Sequence, residues 1–316
     1  MTQFRAEARP LTCSVVIPTA HRPEELDRCL AAVAVQDYAS YDVIVVDNSA
    51  GDAETERVAR KWKARYVPEP RKGLSRARNR GALVSSADVI AYLDDDSVPE
   101  KGWLAAMAGE FTDPLVMGVG GKTVPLRVET ESERLFAQIR GGAYNRPASL
   151  VVDRDTPYWF EICGFGGIGA GCNMAVRRAA FESWSGFHER TGRGTPVYGG
   201  DEQYAFFSLV SRGHRVSYTP RAVVRHPFPP TMDVLRARYL NDLTASTAFF
   251  TMMLVEERGY RRSTLRYLWE AVRGTERTWR GAVARRTRVV SPIRSAMALC
   301  LGPLRYIQSV LVDTQN

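Results

Sequence analysis

The chain has 316 residues, enough for one large α/β domain with an extension or for two domains. Hydrophobic residues make up 45% and charged residues 25%, ordinary for a soluble globular protein, and the net charge of +8 favours an anionic partner. Five cysteines, an odd number without regular spacing, exclude a disulfide framework and point to a reducing compartment. Cys163 and Cys172 lack companions at zinc-site spacing and read as small buried thiols. The opening MTQFRAEARP has no apolar signal core, and no segment reaches the apolar length of a membrane span.

Cys13-Ser14-Val15-Val16-Ile17 reads as a buried strand ending at Pro18-Thr19, and across residues 23–36 Leu26, Leu30 and Val33 recur at helical spacing. A second strand, Val43-Ile44-Val45-Val46, stops at Asp47-Asn48-Ser49. A polar helix with Val58 and Trp62 on one face follows, then a short strand around Tyr66-Val67. The segment KGLSRARNRGALVSS predicts a basic, glycine-bounded helix, and Val89-Ile90-Ala91-Tyr92-Leu93 a buried strand that runs straight into Asp94, Asp95 and Asp96. Ser97 and Glu100 stand at capping-box spacing with Pro99 in the first turn, so a helix is expected to begin there. This alternation predicts an α/β fold, a mostly parallel, doubly wound, Rossmann-like sheet covered by helices. The polar strand ends, Thr19, Asp47, Asn48 and the three aspartates, then converge on the edge where open α/β sheets bind ligands.

Three adjacent carboxylates repel one another, and a divalent cation that prefers hard oxygen ligands, Mg²⁺ or Mn²⁺, is the usual compensation. A solvated acidic turn capping a helix is the alternative. Asp47 can accept from a base or ribose donor, and Arg76 and Arg78 can approach a diphosphate near the helix N-terminus at Gly73-Leu74-Ser75. The competing reading is a helix whose arginines face water. No G-x-G-x-x-G follows the first strand and no G-x-x-x-x-G-K-[ST] occurs, which argues against the usual dinucleotide fingerprint and against a P-loop.

The second half is less regular, and residues 128–156 carry no assignment. GFGGIGAGCNMAVRR places glycines where backbone approaches something closely or turns with positive φ, ahead of a strand from Asn173 to Val176. GRGTPVYGGDEQYAF puts Asp201 and Glu202 at the start of a helix, where the dipole also favours acids. His226 ends the apolar strand Ala222-Val223-Val224-Arg225; a lone His is commonly a packed residue, yet neutral imidazole suits a third metal ligand. Residues 232–257 read as a long helix, and residues 258–294 hold many arginines with only Glu270 and Glu276 as acids. Residues 295–312 are apolar but interrupted by Gly302-Pro303 and Arg305, so they are not expected to span a bilayer. Such a tail lies on anionic lipid, binds nucleic acid, or presents the solvated face of helices packed on the domain or on a second subunit.

In this order and spacing, VVIPT, VIVVDNS, GLSRARNRG and YLDDDSVPE resemble the nucleotide-binding half of family-2 glycosyltransferases of the GT-A fold, over about residues 12–230. The resemblance implies that Asp94 and Asp96 form the Asp-x-Asp metal motif, Asp96 being the direct ligand and Asp95 lying nearer the donor sugar or ribose. It implies base-binding positions at Thr19 and Asp47, beside Asn48, and a diphosphate or ribose contact at Arg76. GCNMAVRR followed by GFHE resembles the acceptor-side segment. The family's Glu-Asp catalytic-base pair corresponds to Asp201-Glu202 in reversed order; Asp201 has the customary side-chain length and is preferred, with Glu202 the alternative. His226 stands where many relatives place a metal-reaching histidine, although Phe228 occupies the position of their second one.

The implied activity is inverting, metal-dependent transfer of a sugar from a nucleotide-diphosphate donor, a UDP-sugar foremost, to an acceptor hydroxyl. The acceptor is left open between a lipid-linked, a glycan and a small natural product. The division expected is a GT-A-like domain over residues 12–230 and a helical, arginine-rich extension over 231–316. That extension would serve membrane-surface contact or homodimerisation, with no nucleic acid, in a cytoplasmic protein peripheral to the inner membrane face. Two rivals remain. A sugar-1-phosphate nucleotidyltransferase wants a glycine-rich basic loop after the first strand, which PTAHRPEEL is not. A non-catalytic scaffold binding RNA or membrane is disfavoured by acids at both the metal and base positions.

Overall fold

The computed structural model describes residues 10–49, 51–273 and 289–313. Strand and helix alternate through β1 (Cys13–Thr19), α1 (Pro23–Val33), β2 (Tyr41–Asp47), α2 (Ala53–Lys61), β3 (Arg65–Pro68), α3 (Leu74–Val84) and β4 (Val89–Leu93). There follow β5 (Val98–Pro99), α4 (Trp103–Gly109), β6 (Val116–Pro125), α5 (Glu131–Tyr144), β7 (Leu150–Val152) and α6 (Trp159–Gly164). The chain continues through β8 (Asn173–Arg177), α7 (Asp201–Ser211) and β9 (Arg215–His226) into the helices α8 (Met232–Glu256), α9 (Arg261–Arg273) and α10 (Pro292–Asp313).

One sheet runs in the order β3-β2-β1-β4-β8-β6-β9-β5, with β7 added against β9. β1 pairs in parallel with β2 on one side and β4 on the other, which makes the switch point at which doubly wound sheets open a crevice. Beyond β4 the sheet becomes mixed, because β8 lies antiparallel to both β4 and β6, while β6 and β9 are parallel. Successive side chains of β1 enter opposite cores: Val15 and Ile17 join Leu26, Leu30 and Trp103, whereas Val16 joins Ala77, Ala82 and Tyr92. Burial on both faces explains why these strands read as continuous apolar runs rather than alternating ones, each fully buried Val or Ile contributing about 1.5–3 kcal/mol.

The helix expected from Ser97 does not start there. Val98 and Pro99 pair antiparallel with Arg225 and Val224 as β5, and Glu100 donates its backbone N–H to Val223, so this backbone is committed to a sheet edge, a place that tolerates proline. α4 begins only after Gly102, whose φ of 82° turns the chain into it. A true capping box lies instead in the unassigned stretch: Thr130 Oγ1 accepts from the Glu133 N–H at 3.1 Å, and Glu133 Oε2 accepts from the Thr130 N–H at 2.9 Å, launching α5.

α10 corrects the expectation of a broken apolar tail. It is one helix of 22 residues with Pro303 inside it, and residues 292–312 are long and apolar enough, by length and composition, to cross a membrane. Pro303 forfeits one backbone hydrogen bond, but the lateral contact with α8 holds the helix together. At Gly302 a Cβ would sit 1.9 Å from Thr247 Oγ1 and 2.6 Å from the Ala248 nitrogen, so the two helices cross almost backbone to backbone. The helical extension is not detached: Phe249, Met252 and Met253 of α8 and Tyr306 of α10 share a core with Phe160, Phe206 and Phe207.

Candidate active site

The aspartate run leaves the carboxyl end of β4, and β9 brings His226 alongside. His226 Nε2 lies 3.2 Å from Asp96 Oδ1 and 3.9 Å from Asp94 Oδ2. The other ring nitrogen, Nδ1, is 2.8 Å from the Pro227 carbonyl oxygen, which can only accept, so Nδ1 carries a proton and Nε2 is the nitrogen that faces the acids. Asp96 Oδ1 is buried, with His226 Nε2 as its near polar neighbour. Asp94, Asp96 and His226 supply the oxygen and imidazole ligand chemistry that a Mg²⁺ or Mn²⁺ ion takes, and the 3.2 Å between His226 Nε2 and Asp96 Oδ1 is close to the ~3 Å between adjacent ligands of an octahedral ion. Cys172 lies with Asp94 and His226 and its Sγ meets Thr123 Oγ1 at 3.8 Å, but a hard ion that prefers oxygen ligands has little use for its sulfur.

Electrostatics across the three acids is uneven. Burial raises the Asp95 carboxyl to about 7 against the opposing pull of Arg22 and Thr19. For Asp96 burial acts the same way, but hydrogen bonding and charge from His226, aided by Arg22, outweigh it and hold the group well below the ordinary range. Burial lowers the His226 imidazole, and Asp96 and Asp94 more than reverse that. Arg22 bridges the acids, 2.7 Å from Asp95 Oδ1 and 3.0 Å from Asp96 Oδ2, and Thr19 Oγ1 donates to Asp95 Oδ2 at 2.8 Å.

On the far side of Asp94 lies Arg78, fully buried. It donates to Asp94 Oδ1 at 3.1 Å, to the Gly171 carbonyl at 2.9 Å and to Asp201 Oδ2. One guanidinium thus ties β4 to α7. Gly200, with φ 89°, swings the chain into α7 so that its first turn faces the cluster; Asp201 is buried against Arg78, and Glu202 is half-buried. A groove of about 1320 Å³ runs from Asp94, His226, Asp201 and Glu202 between Phe165, Phe228 and Phe250.

The nucleotide-side residues stand outside the lining of that groove. Asp47 accepts from the Ser49 N–H at 2.9 Å, the Ser49 hydroxyl, the Asp52 N–H at 2.8 Å and the Tyr66 hydroxyl at 2.6 Å, which occupies all four lone-pair positions of a carboxylate. Burial raises its pKa, but these donors together win and hold it below the usual value. Asn48 donates to the Glu69 and Arg71 carbonyls, both at 2.8 Å, and accepts from the Gly73 N–H at 2.8 Å. Asp47 and Asn48 therefore shape the two loops at the end of β2 in this conformation. Arg76 is buried with its Nε 3.2 Å from Glu189, an acid that Arg71 also approaches at 3.6 Å. Sequence reasoning missed Arg22, passed over in PTAHRPEEL, and Arg193, which lines the groove from the glycine-rich GRGTPVYGG stretch. Arg22 precedes Glu24 and Glu25 and Arg193 sits between glycines, so neither carries a local mark of the groups it meets in the fold.

A parallel half-sheet with acids at its switch point, an antiparallel strand wedged beside it and a histidine returning on β9 define a GT-A-type glycosyltransferase architecture. The chain belongs to Glycosyl transferase family 2, whose model matches residues 14–184. It is 34% identical over 116 residues to glycosyltransferase AglE of Haloferax volcanii, covering 34% of this chain and 38% of that protein. It is 28% identical over 221 residues to the pre-mycofactocin glycosyltransferase of Mycobacterium tuberculosis, covering 67% of this chain and 42% of that one. The chain thus spans less than half the length of these two relatives. Among solved structures, the mannosyltransferase PcManGT from Pyrobaculum calidifontis in complex with GDP-Man and Mn2+ superposes with a TM-score of 0.57 at 16% identity, covering 96% of this chain and 86% of that one. S. aureus TarS 1-349 in complex with UDP gives 0.52 at 15% identity, covering 96% and 92%. At these identities the likeness speaks for the fold.

Proposed function

We propose that this chain is a metal-assisted, inverting glycosyltransferase that takes a sugar from a nucleotide-diphosphate donor. The observation that carries the reading is the approach of His226 Nε2 to a carboxylate oxygen of Asp94 and one of Asp96 at the end of β4, with Asp94, His226 and Glu202 lining the same groove. PcManGT, with its GDP-Man and Mn2+, and TarS, with UDP, support a nucleotide donor, and the identity of its base and sugar is a matter for the screen below. Asp94, Asp96 and His226 would hold the ion, which supplies neutralisation of charge on the departing diphosphate. Arg193 adds fixed positive charge to the groove wall.

For the base, geometry favours Glu202 over Asp201. Asp201 is committed to an internal ion pair with the fully buried Arg78 guanidinium, and losing it would leave that cation short of a partner. Asp201 then positions α7 through Arg78, and Glu202 removes the proton from the acceptor hydroxyl. The acceptor oxygen forms its bond to the anomeric carbon opposite the nucleotide as the bond to the diphosphate oxygen breaks, and this single displacement inverts the carbon. The test is a thermal-shift screen of nucleotide sugars with and without Mn²⁺, followed by transfer assays. Asp96→Ala should abolish the Mn²⁺-dependent shift. Glu202→Gln should cut transfer by about 10²-fold or more with donor affinity retained. Donor binding indifferent to Mn²⁺ and to Asp96→Ala would refute the metal reading. Full transfer by Glu202→Gln would refute the base.

A further inference from the structure

α10 is built inside out. With 100° per residue and Gly302 at zero, Ala298, Tyr306 and Ser309 fall within about 40° of the contact with α8. These residues, with Gly302 itself, are the buried ones, and three of the four are small. The large apolar side chains point away from the protein: Ile293 is 74% exposed, Met297 62%, Leu304 61%, Ile307 53% and Leu311 59%. With Leu301 they span an arc of about 120° interrupted only by Gln308. A soluble amphipathic helix does the reverse, turning its large apolar residues to the core. Small residues at a tight helix–helix crossing with bulky apolar residues outside is the arrangement of helices solvated by lipid.

We infer that the outer face of α10 docks on the surface of an anionic lipid bilayer, its apolar arc immersed and its axis along the interface. α10 is held along α8 by the Gly302 crossing and by the Tyr306 hydroxyl on Glu256 at 2.9 Å, so it lies down rather than crosses. Arg294 and Arg305 both fall on one edge of the arc, at about 280–300° on the same wheel, where arginine side chains reach lipid phosphates. The same two arginines border a cavity of about 500 Å³ together with Tyr198 and Asn241. An antiparallel pairing of two copies through this face would gather four of these guanidiniums on one side, and only Asp313, at the end of α10, is acidic in that helix. The first turns of α10, at Pro292, Ser295 and Leu299, also line the catalytic groove, so docking brings that groove to headgroup level. The docking itself does not rest on the reaction proposed above.

The test is flotation of the full chain with vesicles of phosphatidylcholine containing about 30% phosphatidylglycerol, with light scattering of the lipid-free protein. The wild type should float, and Leu304→Glu combined with Ile307→Glu should weaken binding about tenfold or more at unchanged Tm. Leu83→Glu, which charges an exposed leucine on α3 instead, should float as the wild type does. A folded wild type that stays in solution would overturn the proposal. So would vesicle binding that the double variant leaves intact, or a lipid-free dimer that the double variant dissociates, which would make a second copy the occupant.

Discussion

Arg78→Met tests whether one guanidinium holds the two halves of the site together. The side chain is 1% exposed, and it answers Asp94, Asp201 and the Gly171 carbonyl at once. At 3.1 Å from Asp94, and with an effective dielectric of about 20, the attraction is ~5 kcal/mol before desolvation offsets most of it. Removal is asymmetric, because it strands two carboxylates whose side chains are only 20% and 6% exposed. The expected loss is about 3–5 kcal/mol, a large part of the 5–15 kcal/mol typical of a domain. Arg78→Lys should recover little of it, since a point charge cannot fork to two acids and a carbonyl. Urea denaturation with comparison of midpoint and slope measures the effect, and Arg78→Met/Asp201→Leu should regain at least ~1 kcal/mol over the single variant. A single variant within about 0.5 kcal/mol of wild type, or strict additivity in the double, would refute the reasoning.

Other outcomes follow from single contacts. Gly200→Ala places a Cβ 2.7 Å from Phe249 Cδ2 at a φ of 89°; it should cost about 1–3 kcal/mol and depress transfer more than donor affinity, read by denaturation and by separate kcat and KM. Tyr66→Phe removes a donor to Asp47, whose folded pKa is depressed, so this stabilisation is present above the unfolded carboxyl value and is lost as pH falls through the folded one. The variant should therefore be about 1.5–3 kcal/mol less stable at pH 7, converging with wild type as acid protonates Asp47 in the folded protein, in a pH series of urea melts. Gly302→Ala should lower Tm by forcing α10 off α8, and an unchanged Tm would contradict the close crossing.

What could be read from the chain alone was whatever depends on local order. β1, β2, β3 and β4 and the helices between them follow from apolar runs and 3.6-residue spacing, and the acid cluster falls at a strand end because Leu93 is the last apolar residue before it. α8 was legible for the same reason. The start of α4 was misread because Ser97 and Glu100 satisfy a local capping rule that the pairing of Val98 and Pro99 with β9, more than a hundred residues away, overrides. Long-range partners also decide what each site residue does. Asp201 and Glu202 are indistinguishable as neighbours, but Arg78, from α3, reaches across the fold to ion-pair with Asp201. Arg22 and Arg193 acquire meaning only from the acids or the groove they face. The apolar content of α10 was plain in the sequence. That its small residues face α8 and its large ones face outward is a property of the crossing at Gly302, where two backbones come within contact and leave no room for the leucines inside.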